Sequence, residues 1–344
     1  MANAPVTTAE ARTLAGSGKP AMSPTRLAGI ALALAVAFGL PFVVSDFHSF
    51  QLTQAIIYAI ALLGLNMLTG YNGQISLGHG AFYAIGAYTA AILIDKAGVP
   101  YWATLPVAGI LCFVVGFLFG LPALRLEGLY LALATLALAL AVPQLLRFRP
   151  LEGLTDGVQG ITLDKPEAPF GLPLTPDQWL YFFALLVAAI MFWAGHNILK
   201  GRIGRAMIAI RDHHISAETM GINTALVKST TFGVSALYTG VAGALSAVVV
   251  AFVAPDSFEL FLSISLLVGM VIGGLASVSG AIYGGLFVQF VPNIAEEVSK
   301  AAPWAIYGVI LILFMYFMPA GIAGFVRQVQ GRLRTMLGRS SADG

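Results

Sequence analysis

Charge is excluded from most of this chain, and that exclusion constrains the fold more than any motif does. No Asp, Glu, Lys or Arg occurs within Leu27–Ser45, Phe47–Ile94, Ala97–Leu124, Gly128–Leu146, Gln178–Leu199, Ser229–Pro255, Leu260–Ala295 or Ala301–Val326. An ionised side chain at the centre of a membrane helix costs roughly 2.5–3.5 kcal/mol, and a span needs about 20 apolar residues. Phe47–Ile94 and Leu260–Ala295 are each long enough for two crossings, so the eight runs predict about ten transmembrane helices. Composition agrees: 58% of the residues are hydrophobic and only 10% are charged, well under the ~25% charged of an average globular domain. The expected fold is an all-α polytopic membrane protein, surrounded by lipid.

Spans are expected near Leu27–Val44, Phe50–Thr69, Ser76–Ile94, Tyr101–Leu121, Gly128–Leu146, Gln178–Ala194, Thr231–Val253, Leu260–Ala276, Gly280–Ala295 and Trp304–Ile322. With the N-terminus inside, the inner side collects 13 Lys/Arg and the outer side five. Basic residues in short loops set orientation, so both termini are expected in the cytoplasm. Residues 1–26, rich in Ala, Thr, Ser, Gly and Pro, read as a disordered cytoplasmic tail. The apolar stretch after Lys19 and Arg26 is longer than a signal-peptide core and reads as an uncleaved first span. Residues 27–326 then form a single transmembrane domain, and 327–344 a basic cytoplasmic tail. Two hydrophilic stretches interrupt the pattern: an outer loop, 147–177, and an inner loop, 200–228, long enough to hold short helices.

Several function classes are excluded. The net charge of +2 and the lack of a basic–aromatic patch argue against nucleic acid. Gly16-Ser-Gly-Lys-Pro20 looks like a phosphate loop but has Thr13 where the first glycine belongs and Pro20 where Ser/Thr belongs. No cofactor is expected on this chain. His213-His214 lacks further placed metal ligands, and the single cysteine, Cys112, reads as a packing residue. The spans hold no convergent titratable groups for a membrane enzyme, and no carboxylates to couple an ion gradient.

The segment Thr69–Tyr83 is unusual for a lipid-facing helix. It carries Gly70, Gly73, Gly78 and Gly80 beside Asn72, Gln74, Ser76 and His79. Irregular backbone at membrane depth persists only where protein or a watery cavity covers it. A broken helix beside a translocation path accounts for this composition; a short loop between two spans is the alternative. Asn72, Gln74, Ser76, His79 and Tyr83 are the candidate pathway residues, with His79 equally readable as a packing histidine. Gly116/Gly120, Gly269/Gly273 and Gly280/Gly284 fit the small-xxx-small spacing of close helix packing. Gly280-Ala-Ile-Tyr283 also echoes Gly80-Ala-Phe-Tyr83, a weak trace of an internal repeat.

Four stretches, Leu65–Thr89, Leu121–Ala137, Leu154–Ile161 and Gly204–Lys228, together with Gly273–Gly285, resemble the LivM-type permeases of ABC importers for branched-chain amino acids. The resemblance runs from about Phe50 to Ile322. It implies a permease subunit paired with a second, LivH-like permease, two cytoplasmic ATPases that use the ATP, and a periplasmic substrate-binding protein, in the bacterial inner membrane. It assigns coupling to the ATPases to the inner loop, where Gly204, Arg205, Arg211, Glu218 and Gly221 are the candidate residues. Ala217, Glu218 and Gly221 match only part of the Glu-Ala-Ala-x-x-x-Gly pattern of such loops. Related permeases carry urea or short amides, and an ion-coupled secondary carrier is the reading from a different class.

Overall fold

The computed structural model describes residues 37–124, 126, 128–171, 173–300 and 302–340. The expected tail over 1–26, most of the first expected span and Arg125 lie outside them. Residues 37–43 are helical and belong to a small unit that ends at Ser45; Asp46 begins the main unit.

The main unit is helical throughout its apolar runs. α1 (Asp46–Asn66) continues into a wider π-type turn, Met67–Tyr71. α2 (His79–Asp95), α3 (Tyr101–Ala123) and α4 (Leu129–Leu146) follow. The hydrophilic stretch after α4 contains a single-turn α5 (Glu152–Thr155) and β1 (Ile161–Thr162). α6 (Pro176–Lys200), α7 (Arg202–Asp212), α8 (His214–Thr219) and α9 (Thr224–Val250) come next, then β2 (Phe252–Val253). α10 (Leu260–Gly273), α11 (Val278–Val298), α12 (Pro303–Phe317) and α13 (Gly321–Ser340) complete the order. β1 and β2 form one antiparallel rung pair, Ile161 opposite Val253 and Thr162 opposite Phe252, which ties the loop after α4 to the end of α9.

Local chemistry sets the helix ends. Thr175 and Gln178 form a reciprocal capping box ahead of Pro176, the hydroxyl accepting from Gln178 N (3.3 Å) and the amide oxygen from Thr175 N (3.2 Å). That satisfies two otherwise orphaned donors. Asn223 caps α9 by accepting from Leu226 N (3.0 Å), so α9 starts seven residues before the expected Thr231. Polar residues that look like loop in a hydropathy reading are here the first two turns of a helix.

α1 and α9 form the centre, buried along most of their length. α2 and α3 pack on α9, while α6, α10 and α11 pack on α1. Backbone approach is close at the crossings. A Cβ on Gly86 of α2 would meet Gly240 O of α9, and one on Gly273 of α10 would meet Gly280 O of α11. The small-residue pairs of the sequence therefore serve packing within the chain: Gly116 and Gly120 face α9, and Gly269/Gly273 face Gly280/Gly284. Cys112 is buried against Gly240, in keeping with a packing role.

The outer helices present large apolar side chains to their surroundings, among them Ile110, Trp193 and Ile312, each more than 60% exposed. A water-soluble surface rarely carries contiguous apolar area on this scale, whereas lipid accommodates it. Seven helices are long and apolar enough to cross a membrane among the described residues, and eight if the bent pair Ala305–Phe317 and Gly321–Gly331, 40° apart, counts as one span. This is an all-α polytopic membrane protein. Two of the ten expected spans are not among them. The first expected span falls mostly outside the described residues. The third is shortened, because α2 has 17 residues, about 26 Å at 1.5 Å per residue, short of a ~30 Å hydrocarbon core.

The two ends of the bundle differ in charge. Lys200, Arg202, Arg205, Arg211, Lys228 and Arg327 belong to one, the basic end. The other, acidic end carries eleven Asp/Glu and five Lys/Arg. There Lys96 bridges Asp95 and Asp156 (3.0 and 3.1 Å), and Arg147 pairs with Asp256 and, at 3.7 Å, with Glu259.

Candidate functional site

The polar, glycine-rich segment interrupts the helical pattern between the π-type turn and α2. Six residues, 73–78, are not helical, and they carry the chain from the basic end of α1 back into the bundle to the start of α2. An extended run of six residues covers up to ~20 Å, which makes up the length that α2 lacks. The break begins where Gly73 takes a left-handed conformation (φ +75°) and lies against Arg211, whose Cγ would sit 2.9 Å from an added Cβ.

Two neighbouring helices hold this segment and the first turn after it. Leu77 N donates to Thr135 Oγ1 of α4 (2.9 Å) and Gly80 N to Ser263 Oγ of α10 (2.9 Å). The second bond satisfies one of the free N–H groups at the start of α2. Thr69 Oγ1 donates to Gln74 O (2.9 Å). Across the bundle a second interruption, residues 274–277, separates α10 from α11. Asn66, 1% exposed, holds it: Nδ2 donates to Gly274 O (3.3 Å) and Ser277 O (2.9 Å), and Oδ1 accepts from Ala276 N (2.8 Å). The echoed segments Gly80–Tyr83 and Gly280–Tyr283 thus both lie in the opening turns of a helix that follows an interruption.

The expected pathway residues sit in different surroundings. Ser76 and His79 are locked in a relay. Ser235 Oγ donates to Gly64 O (2.6 Å), which leaves it to accept from His79 Nε2 (2.7 Å). Nδ1 lies 3.0 Å from Ser76 Oγ, so in the neutral ring the proton is on Nε2 and Nδ1 accepts from Ser76. The ring lies against Phe82 and Phe232 (centroids 5.9 and 6.5 Å). His79 thereby links α2 to α9 and, through Ser235, to α1. Tyr83 is buried between Tyr58 (6.4 Å) and Phe258 (6.2 Å).

Asn72 and Gln74 behave differently. Both line a cavity of about 240 Å³ at the basic end, whose wall also includes Arg211, His214 and Lys228. Asn72 is 2% exposed, and its amide N and O, like Gln74 Oε1, have no hydrogen-bond partner among the described residues. Buried polar atoms of this kind cost about 1–3 kcal/mol each unless a water or solute meets them. The cavity is large enough to admit several waters.

The loop between α6 and α9 meets the break directly. Arg211, at the end of α7, donates to Gly70 O (2.8 Å) and to Asp212 (3.0 Å). Gly204 is buried where α7 turns back over α6, and a Cβ there would overlap Leu199 O. Arg205 is exposed. Glu218 accepts from Thr224 Oγ1 (2.7 Å), and Gly221 makes the left-handed turn (φ +84°) that redirects the chain from α8 into α9. Two residues that the sequence did not single out stand beside them. Ile215 and Met220 are 77% and 85% exposed at the basic end, an apolar pair that α8 holds away from the bundle. Composition gave no signal for them, since an isolated Ile or Met in a loop is ordinary.

The chain matches the family described as the branched-chain amino acid transport system / permease component over residues 48–318. The chain belongs to that family. Among curated members it is 33% identical to the LivM permease protein of Escherichia coli, over 86% of this chain and 74% of that one. It is 27% identical to the LivH permease protein of the same organism (78% and 91%) and 25% identical to BraD of Pseudomonas aeruginosa (79% and 93%). No solved structure matches the chain. In this permease family member the matched region takes in both interruptions, the Asn72–Gln74 cavity and the loop that carries Arg211.

Proposed function

We propose that this chain is a permease subunit of an ATP-driven ABC importer that moves branched-chain amino acids across the bacterial inner membrane. It has ten spans in this reading, with both termini in the cytoplasm. The basic end faces the cytoplasm, in line with the excess of Lys and Arg there. A second, LivH-like permease completes the membrane part, two ATPases bind at the basic end and use the ATP, and a periplasmic binding protein delivers solute at the acidic end, where residues 147–177 provide a surface. The chain itself binds no cofactor.

One observation carries the mechanism: Arg211 of the coupling loop is bonded to Gly70 at the mouth of the broken helix. Closure of the ATPases moves α7 and α8, with Ile215 and Met220 seated in an ATPase cleft. Arg211 transmits that movement to residues 70–78. Residues 75–78 have no ladder of helical bonds, so they yield before the packed helices do. Asn72 and Gln74 then open or close the cytoplasmic exit, an alternation between discrete arrangements of packed elements.

The test is uptake of labelled leucine by cells or vesicles that hold the whole assembly, comparing wild type with Ile215→Asp/Met220→Asp. ATP-dependent uptake in the wild type, with loss of both uptake and co-purifying ATPases in the double variant, is expected. Uptake that stops when the ion gradient is collapsed with ATP intact identifies a secondary carrier instead. Uptake of urea or short amides but not leucine assigns the chain to another substrate branch of the family.

A further inference from the structure

A second cavity, of about 360 Å³, opens toward the acidic end between α1, α10 and α11. We propose that it is a binding site for a zwitterionic amino acid with a branched aliphatic side chain, the first place in this chain that the incoming solute occupies. The proposal rests on the importer reading above.

Depth and polarity make the case. Gln289 lies eleven residues into α11 and Tyr58 twelve residues into α1, about 17 and 18 Å along their helices at 1.5 Å per residue. Both are therefore near the middle of a ~30 Å hydrocarbon core. Ser265 joins them from α10, and Asn293 lies one turn beyond Gln289 on the same face of α11. All four line this one cavity. Polar side chains at that depth are costly unless they face one another, water or a ligand.

Pro292, within α11 and also in the wall, supplies an acceptor that no side chain reveals. It has no N–H to donate to the carbonyl four residues back. That carbonyl belongs to Val288, another wall residue. The mouth carries Asp256 and Glu259, with Arg147 against both, so it is net negative by one charge.

The inventory matches the solute group by group. The ammonium meets acceptors, namely the Val288 carbonyl and the mouth carboxylates. The carboxylate meets donors, the Ser265 hydroxyl and the amide NH₂ groups of Gln289 and Asn293. The aliphatic side chain has Leu262, Val288 and the Pro292 ring as its wall. The floor is closed: Tyr58 stacks on Tyr83, which lies against Phe258. The packed helices and the His79 relay then separate this cavity from the one at Asn72 and Gln74. Two polar cavities on opposite sides of a sealed layer are what alternating access needs.

Cys112 is the sole cysteine and is buried, which makes thiol labelling a clean test. Asn293→Cys and Ser265→Cys are made singly in the assembled importer and treated from the periplasmic side with a membrane-impermeant methanethiosulfonate. Both are expected to react and to lose uptake on reaction. Leucine delivered by the binding protein at ten times its half-saturating level should slow the reaction about tenfold, by simple occupancy. Gln289→Leu, which should fold normally, is expected to raise the half-saturating concentration. Failure to react, reaction without loss of uptake, or labelling that leucine does not slow overturns the site. Wild-type uptake, measured alongside, separates the two ideas: if it is present, only the site falls; if it is absent, the importer reading falls first.

Discussion

Replacing Asn66 by Ala should loosen the interruption between α10 and α11 more than any surface change could. The side chain makes three bonds to that segment, two to carbonyls and one from the Ala276 amide, and it is buried where water does not replace it. At about 0.5–1.5 kcal/mol net per bond, the loss comes to about 3 kcal/mol, or ~100-fold in the population of the opened segment. Asn66→Asp should be no better. It keeps the acceptor for Ala276 N but turns a carboxylate oxygen toward the carbonyls of Gly274 and Ser277. Hydrogen exchange measured by mass spectrometry on a peptide spanning 274–277 reads the effect directly, because the Ala276 N–H loses its partner. Exchange should quicken about 100-fold in the Ala variant, with a lower melting temperature for the purified assembly. Wild-type exchange at Ala276 in Asn66→Ala would refute the argument that this one side chain holds the break closed.

Gly86→Ala places a methyl against the Gly240 carbonyl at the α2–α9 crossing. Backbone cannot rotate away, so the cost should reach the upper part of the ~1–3 kcal/mol range for overpacking; Gly308→Ala, with open space around it, should leave the melting temperature unchanged. His79→Leu should cost about 2 kcal/mol through two lost side-chain bonds, yet uptake per folded complex should stay constant across neutral pH; a pH-dependent change in specific uptake would return His79 to a proton-transfer role. Hydrogen bonds from Lys96 to Asp95 and then Asp156 raise its ammonium pKa above the usual lysine value. Any stability this gives is present at neutral pH and is lost only as pH climbs through that raised value. Lys96 lies at the surface, its side chain 39% exposed, so Asp156→Asn should leave neutral-pH melting unchanged and alter only the alkaline limb of a pH–stability curve.

The class of fold was legible because charge segregation is a property of the chain alone. Solvation in lipid penalises each charge wherever the rest of the protein lies, so the apolar runs fall where the spans do. The non-helical stretch at 73–78 was legible for a similar reason: glycines interleaved with polar residues make a poor lipid-facing helix. Span lengths were less so. The short α2 and the early start of α9 at Thr224 depend on neighbouring elements that bond to the break and on an Asn223 cap, and hydropathy registers neither.

What the tertiary structure alone decided is which polar residues meet what. Asn72, Gln74, Ser76 and His79 look alike in sequence, one patch of polar groups within eight positions. Folding divides them, because Ser235 arrives from 156 residues away to satisfy His79, whereas Arg211 arrives at Gly70 and leaves Asn72 facing a cavity. Ser265, Gln289 and Asn293, scattered over two apolar helices, stand out only when α10 folds back on α11 and turns them toward one space. A side chain's type fixes the bonds it can make; the partner, and so the role, is set by chain segments too distant in sequence for local pattern to reveal.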